Sequence, residues 1–203
     1  MIDLALDFLT NEVNAYLEQK NLPSPAPSPE IVLTNVAAED GNWAIPPRTL
    51  GLSLINIEED RVNKDQQTAF RTPQGDIEHY NPELKLNLYI LISANFASGD
   101  PGGTPGTGIY SEGLKQLSYV ISFFQGKYVF TTENSPLLST SIKKLIVELY
   151  SSSFEQQYNF WNVVGAKYLP SVLYRVRMLT YQEKRVLDQQ QPITNIDIQT
   201  SGN

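Results

Sequence analysis

Leu84, Leu86, Leu88, Ile90 and Ile92 alternate strictly along nine residues of the chain. A two-residue period gathers these aliphatics on one face of an extended strand. A strand with a wholly apolar face needs a layer packed against it. The rest of the chain must therefore supply either helices or a second sheet.

It supplies helices. Leu6, Leu9, Val13 and Tyr16, with Leu17, recur at three- and four-residue steps and predict an amphipathic helix over 2–20. Tyr110, Leu114, Leu117, Ile121 and Phe124 predict a second helix with those residues on one face. Ser153 followed by Gln156 is a capping box, and it opens a third helix. That helix carries Phe154, Tyr158 and Trp161 on one side and ends at Gly165. Between the helices lie further strands: 31–36, the alternating Leu50, Leu52 and Leu54, then 128–131 and 145–149. A last long strand carries Val172, Tyr174, Val176 and Met178 on one face. Segment 63–81 is polar and rich in turn residues, and reads as a long loop or the ends of a protruding hairpin. The fold class is α/β of the α+β type, a single mixed sheet with helices packed on it.

The organisation follows from the breaks. Proline at positions 23, 25, 27 and 29 forbids helix and ladder pairing, and favours a stiff spacer rising about 3 Å per residue. The expected parts are a helix at 1–20, a Pro-rich spacer at 21–30, a body at 31–188 and a tail at 189–203. Ile196, Asp197 and Ile198 form a small strand-like motif near the end of that tail.

Composition excludes several function classes. Lys and Arg number 15 against 22 Asp and Glu, for a formal net charge of −7. No basic run could release phosphate counterions, so no nucleic-acid partner is expected. Adhesion to anionic membranes is disfavoured for the same reason, and the apolar stretch around 84–96 is too short and polar to cross a bilayer. No direct membrane insertion is expected. Cysteine is absent, which removes disulfides and thiolate metal sites. The first residues lack a basic segment and a continuous apolar run, so synthesis and assembly in the cytoplasm without a signal peptide are expected. Charged residues make up only 18% of the chain, leaving an uncharged polar surface that is easily dehydrated in protein contacts.

Catalytic patterns are incomplete. His79 is the only histidine and reads as a solvated loop residue, with no Gly-x-Ser-x-Gly elbow to accompany it. Gly103 and Gly108 have phosphate-loop spacing between a strand and a helix, but Ile109 and Tyr110 follow where Lys and Ser or Thr are needed. Pro101 and Pro105 also remove backbone donors from that loop, which reads as a connector. Glu58, Glu59 and Asp60 sit beside Arg61 and Lys64, the pattern of a surface ion-pair cluster. The aromatic run 123–130 reads as core. No catalytic residue, metal site or cofactor is expected. The protein is read as non-catalytic and as working by assembly.

Four segments in order carry a resemblance: 50–61 (LGLSLINIEEDR), 84–91 (LKLNLYIL), 123–127 (FFQGK) and 168–177 (YLPSVLYRVR). Together they resemble the tube-terminating cap proteins of extracellular contractile injection systems of the antifeeding-prophage type, over roughly residues 1–182. The resemblance implies a fold similar to phage tail-terminator proteins. It implies a homo-hexameric ring on the last layers of tube and sheath, ending their growth in a particle that is released or stays in the cell. Tube and sheath proteins are then the partners. The loop residues Asp100, Gly102, Gly103 and Gly106 become candidates to reach the tube or a neighbour. Ile196, Asp197 and Ile198 become a candidate arm onto the sheath by strand addition. A baseplate or collar adaptor of a similar particle is the alternative, followed by a small ligand-binding protein or hydrolase.

Overall fold

A computed structural model describes residues 1–21, 29–61, 69–73, 76–96, 107–181 and 188–190. They fall into two units, Met1–Glu59 with Leu86–Leu179, and Asp60–Lys85 with Thr180–Asn203.

The first unit is built on a six-stranded mixed sheet. Its strands are β1 (Ile31–Leu33), β2 (Thr49–Glu59), β5 (Leu84–Asn95), β6 (Val129–Thr131), β7 (Lys144–Leu149) and β8 (Ser171–Tyr181). The spatial order is β1-β2-β5-β8-β7-β6. β1 runs parallel to β2, whereas β2–β5, β6–β7 and β7–β8 are antiparallel. Of the alternating residues of β5, Leu88, Ile90 and Ile92 are fully buried against the helices and Leu86 packs partly buried beside them, whereas Leu84 is exposed.

Two long helices cover that face. α1 (Ile2–Asn21) buries Leu6, Leu9, Val13 and Leu17, and Tyr16 sets its ring 5.2 Å from Phe123. α2 (Thr107–Gly126) buries Leu117, Val120, Phe123 and Phe124. The aromatic run is core, with Phe8, Phe123, Phe124 and Phe130 packed ring to ring. Tyr174 of β8 joins it, and burial pushes its phenol up to about 12.

The face of α2 is turned from the expected one. Tyr110, Leu114 and Ile121 are exposed, while Gly113 and Gln116 face inward. Gln116 is buried because its amide exchanges two hydrogen bonds with Asn21 of α1, at 3.1 and 3.0 Å. Gly113 is needed because a Cβ there would lie 2.8 Å from Cβ of Phe96.

The opposite face of the sheet holds a smaller core of Val36, Ile45, Leu91, Trp161 and Leu169. Part of its cover is the loop after β1, tied down where the Trp43 indole donates to the Lys167 carbonyl at 2.9 Å. α3 (Phe154–Val164) supplies the rest, and it begins and ends as the sequence predicts. Ser153 and Gln156 form the reciprocal capping box, and Gly165 closes the helix at φ 72°. Only Trp161 of its expected apolar side is buried, whereas Phe154 and Tyr158 face solvent.

The second unit contains a three-stranded antiparallel sheet of β3 (Ala69–Arg71), β4 (Ile77–His79) and β9 (Asp188–Gln190) in the order β3-β4-β9. β3 and β4 form a hairpin inside the segment read as a loop or protruding hairpin. His79 is therefore half-buried in a strand rather than solvated in a loop.

Candidate interaction surface

A bulge in β2 creates the most distinctive surface of the first unit. The register with β5 shifts between Leu54 and Asn56. Before the shift, Leu50, Leu52 and Leu54 pair with Ala94, Ile92 and Ile90 on the helix-covered face. After it, Asn56 pairs with Tyr89 and Glu58 with Asn87. The extra residue, Ile55, thus reverses which side chains reach the α3 face.

The result is a groove of about 570 Å³ between the sheet and α3. Its floor includes Ile55, Leu91 and Leu173, and its walls include Gln156, Phe160 and Trp161. The Trp161 indole nitrogen is buried without a hydrogen-bond partner among the described residues.

Charges on this face of the sheet neutralise one another. The Tyr89 hydroxyl donates to Glu58 at 2.6 Å, and this bond raises the Tyr89 phenol above its ordinary range. Glu148 of β7 accepts from Arg175 at 2.8 Å and from Arg177 at 3.2 Å, both on β8. The hydrogen bond from Arg175, with the charge of Arg177, holds the Glu148 carboxyl below the usual carboxylate range. Each charged group in this network lies beside an opposite charge or a hydroxyl, while the Arg175 Nε is buried without a hydrogen-bond partner among the described residues. The arrangement is that of a structural cross-strand ladder rather than of a poised acid–base pair.

The catalytic candidates do not converge. Glu58 and Glu59 are successive residues of β2 and point to opposite faces. Asp60 is buried, with its backbone N–H donating to the Lys85 carbonyl. Among the described residues, no three His, Cys, Asp or Glu side chains cluster in a way that could hold a metal. No helix among them is long and apolar enough to cross a membrane.

Both edges of the six-stranded sheet are plugged by asparagine. On β1, Asn14 of α1 donates to the Ile31 carbonyl at 2.9 Å and accepts from the Ile31 N–H at 2.8 Å. On β6, Asn134 accepts from the Thr131 N–H at 2.9 Å and donates to the Val129 carbonyl at 3.0 Å. Each side chain imitates the neighbouring strand that the edge lacks, which blocks strand addition. Sequence reasoning missed this pair, because neither asparagine sits in a motif.

The expected contact residues Asp100, Gly102, Gly103 and Gly106 lie outside the described residues, as do Lys64, Ile196, Asp197 and Ile198.

No curated protein matches the chain. Two cryo-EM structures share its fold. One is the sheath/tube terminator, in the extended state, of an extracellular contractile injection system called PVC: TM-score 0.59, 14% identity, covering 98% of this chain and 64% of that one. The other is the tube-terminating cap of the anti-feeding prophage: TM-score 0.54, 13% identity, covering 94% of this chain and 59% of that one. The chain thus spans less than two thirds of either structure's length. A family model, the Pvc16 N-terminal domain, matches residues 6–195. With nearly its whole length matched in this way, the chain belongs to the Pvc16 N-terminal domain family.

Proposed function

We propose that the protein is a non-catalytic terminator of a contractile, phage-tail-like injection particle. It closes the end of the inner tube and sheath as a homo-hexameric ring and stops their polymerisation. The observation that carries this reading is the likeness of nearly the whole chain to a sheath/tube terminator and to a tube-terminating cap. The mutually neutralised charges on the α3 face support a binding role over a catalytic one.

In this reading the body, 31–188, forms the ring. The first helix belongs to that body rather than standing apart from it across the 21–30 spacer, because α1 buries Leu6, Leu9, Val13 and Leu17 in the same core and Asn14 caps β1. Asp100, Gly102, Gly103 and Gly106 reach the tube or a neighbouring copy, and the arm with Ile196, Asp197 and Ile198 adds a strand to a sheath subunit. Assembly takes place in the cytoplasm, with tube and sheath proteins as partners and no cofactor.

Removing the protein from particle-producing cells tests the role. Electron microscopy should then show tubes of uncontrolled length. Tubes of normal length would refute the reading, and failure to start any tube would favour a baseplate part. Deleting 189–203 should weaken sheath attachment while the ring still forms, and unchanged attachment would remove the arm from the account.

A further inference from the structure

We infer that copies of this chain join head to tail, with α3 of one copy docked on α2 of the next and Glu155 facing Lys115. The inference rests on the ring proposed above and names the surfaces that build it.

The plugged edges restrict the choice. Asn134 occupies outward-pointing groups of β6, and Asn14 does the same at Ile31 of β1. Copies joined by one continuous sheet would have to displace both side chains. Association through the helical faces displaces nothing.

Both helices present apolar residues outward. Phe154 is 92% exposed and Tyr158, one turn later, is 67% exposed. On α2, Tyr110, Leu114 and Ile121 are also exposed and follow one stripe at four- and seven-residue steps. Exposed aromatics of this size, set on a rigid helix, are the common anchors of protein interfaces. α2 packs on one face of the sheet and α3 on the other, so the two patches are separate. Each copy thus carries one patch to give and one to receive, the arrangement that lets a heterologous contact repeat around a ring.

Charge fits the same pairing. The only charged residue of α3 is Glu155, and those of α2 are Glu112 and Lys115. Glu112 is already bound to Arg48 at 3.3 Å. Among the described residues, Lys115 has only the face of its neighbour Tyr119, 5.6 Å from the ring centre. One acid on the first patch and one available cation on the second give a single complementary pair in an otherwise uncharged contact. Two copies of the α3 patch would instead set Glu155 against Glu155.

Sedimentation of the full chain over a concentration series tests this, with circular dichroism to verify folding. The wild type should associate. Phe154→Asp and Leu114→Asp, both at exposed positions, should each weaken association about tenfold or more. Glu155→Lys and Lys115→Glu should each weaken it, and the double variant should return to within about threefold of wild type. A wild type that is monomeric up to its solubility limit would overturn the inference, as would unaltered association of the folded Asp variants or a double variant no better than the singles. Tube length decides the terminator reading separately: normal-length tubes in cells lacking the protein would refute that reading whatever the sedimentation result, and unaltered association of the Asp variants would overturn the α3–α2 contact while leaving the terminator role standing.

Discussion

Replacing Asn14 by alanine removes both hydrogen bonds that close the β1 edge, at 2.9 and 2.8 Å. Ile31 is only 1% exposed, so water reaches its freed N–H and C=O poorly. A buried main-chain group left without a partner costs about 1–3 kcal/mol, so the pair is worth about 2–4 kcal/mol after some relaxation. For a chain of this size that lowers the melting temperature by about 5–15 °C. Asn134 provides the control. It makes the same two bonds to β6, but its bonds are solvent-exposed, so water replaces them. Asn134→Ala should cost about 0.5–1.5 kcal/mol. Urea unfolding of the two variants measures the contrast, and amide exchange at Ile31 localises it: that N–H should exchange faster in Asn14→Ala. Equal losses in the two variants, or a loss below about 0.5 kcal/mol for Asn14→Ala, would refute the argument from burial.

Three further outcomes follow from other parts of the fold. Glu148→Gln should reduce stability at neutral pH by about 0.5–1 kcal/mol, a value discounted because the carboxylate is 35% exposed. The folded-state carboxyl is held low, so the wild type keeps this contribution above the usual carboxylate range and loses it as pH falls through the lowered value. Denaturant midpoints of wild type and variant should therefore converge in acid, and a constant gap would contradict the assignment. Gly113→Ala should destabilise by about 1 kcal/mol, because overpacking against Phe96 outweighs the gain in helix propensity. Gly126→Ala meets nothing within 4 Å and should be neutral to mildly stabilising, so thermal melts of the two should move apart. Ser153→Ala should cost about 1 kcal/mol through loss of the capping box, visible as faster amide exchange in the first turn of α3.

Periodicity made the main sheet legible. The alternation in β5 from Leu86 onward and the run Val172, Tyr174, Val176 in β8 matched their buried faces, although the Met178 side chain lies outside the described ones. The capping box and Gly165 located α3 to the residue. Two faces were misjudged for physical reasons. On α2, apolar residues run most of the way round, so the pattern cannot choose a face. The choice falls to Gln116, whose amide pair with Asn21 makes burial of a polar side chain favourable, and to Gly113, which admits Phe96. On α3, Phe154 and Tyr158 obey helical spacing, but it is Trp161, with Phe160 and Val164, that packs on the core below.

Short-range patterns also miss what is made at long range. The three-residue strands β3, β4 and β9 are too brief for a period to show, and β9 joins β4 from more than a hundred positions away. The asparagine plugs depend on which helix or loop passes each edge. The bulge at Ile55 falls where the alternation Leu50, Leu52, Leu54 slips by one residue to Ile55 and Ile57, a cue that sequence reasoning passed over, and it decides that Glu58 meets Tyr89. The resemblance carried the terminator reading further than any residue pattern could.

Cryo-electron microscopy of intact particles tests the central claim most directly. The account predicts density for this chain at one end of the tube only, as a closed ring capping the last tube and sheath layers. Density repeated along the tube, or confined to the baseplate end, would contradict it.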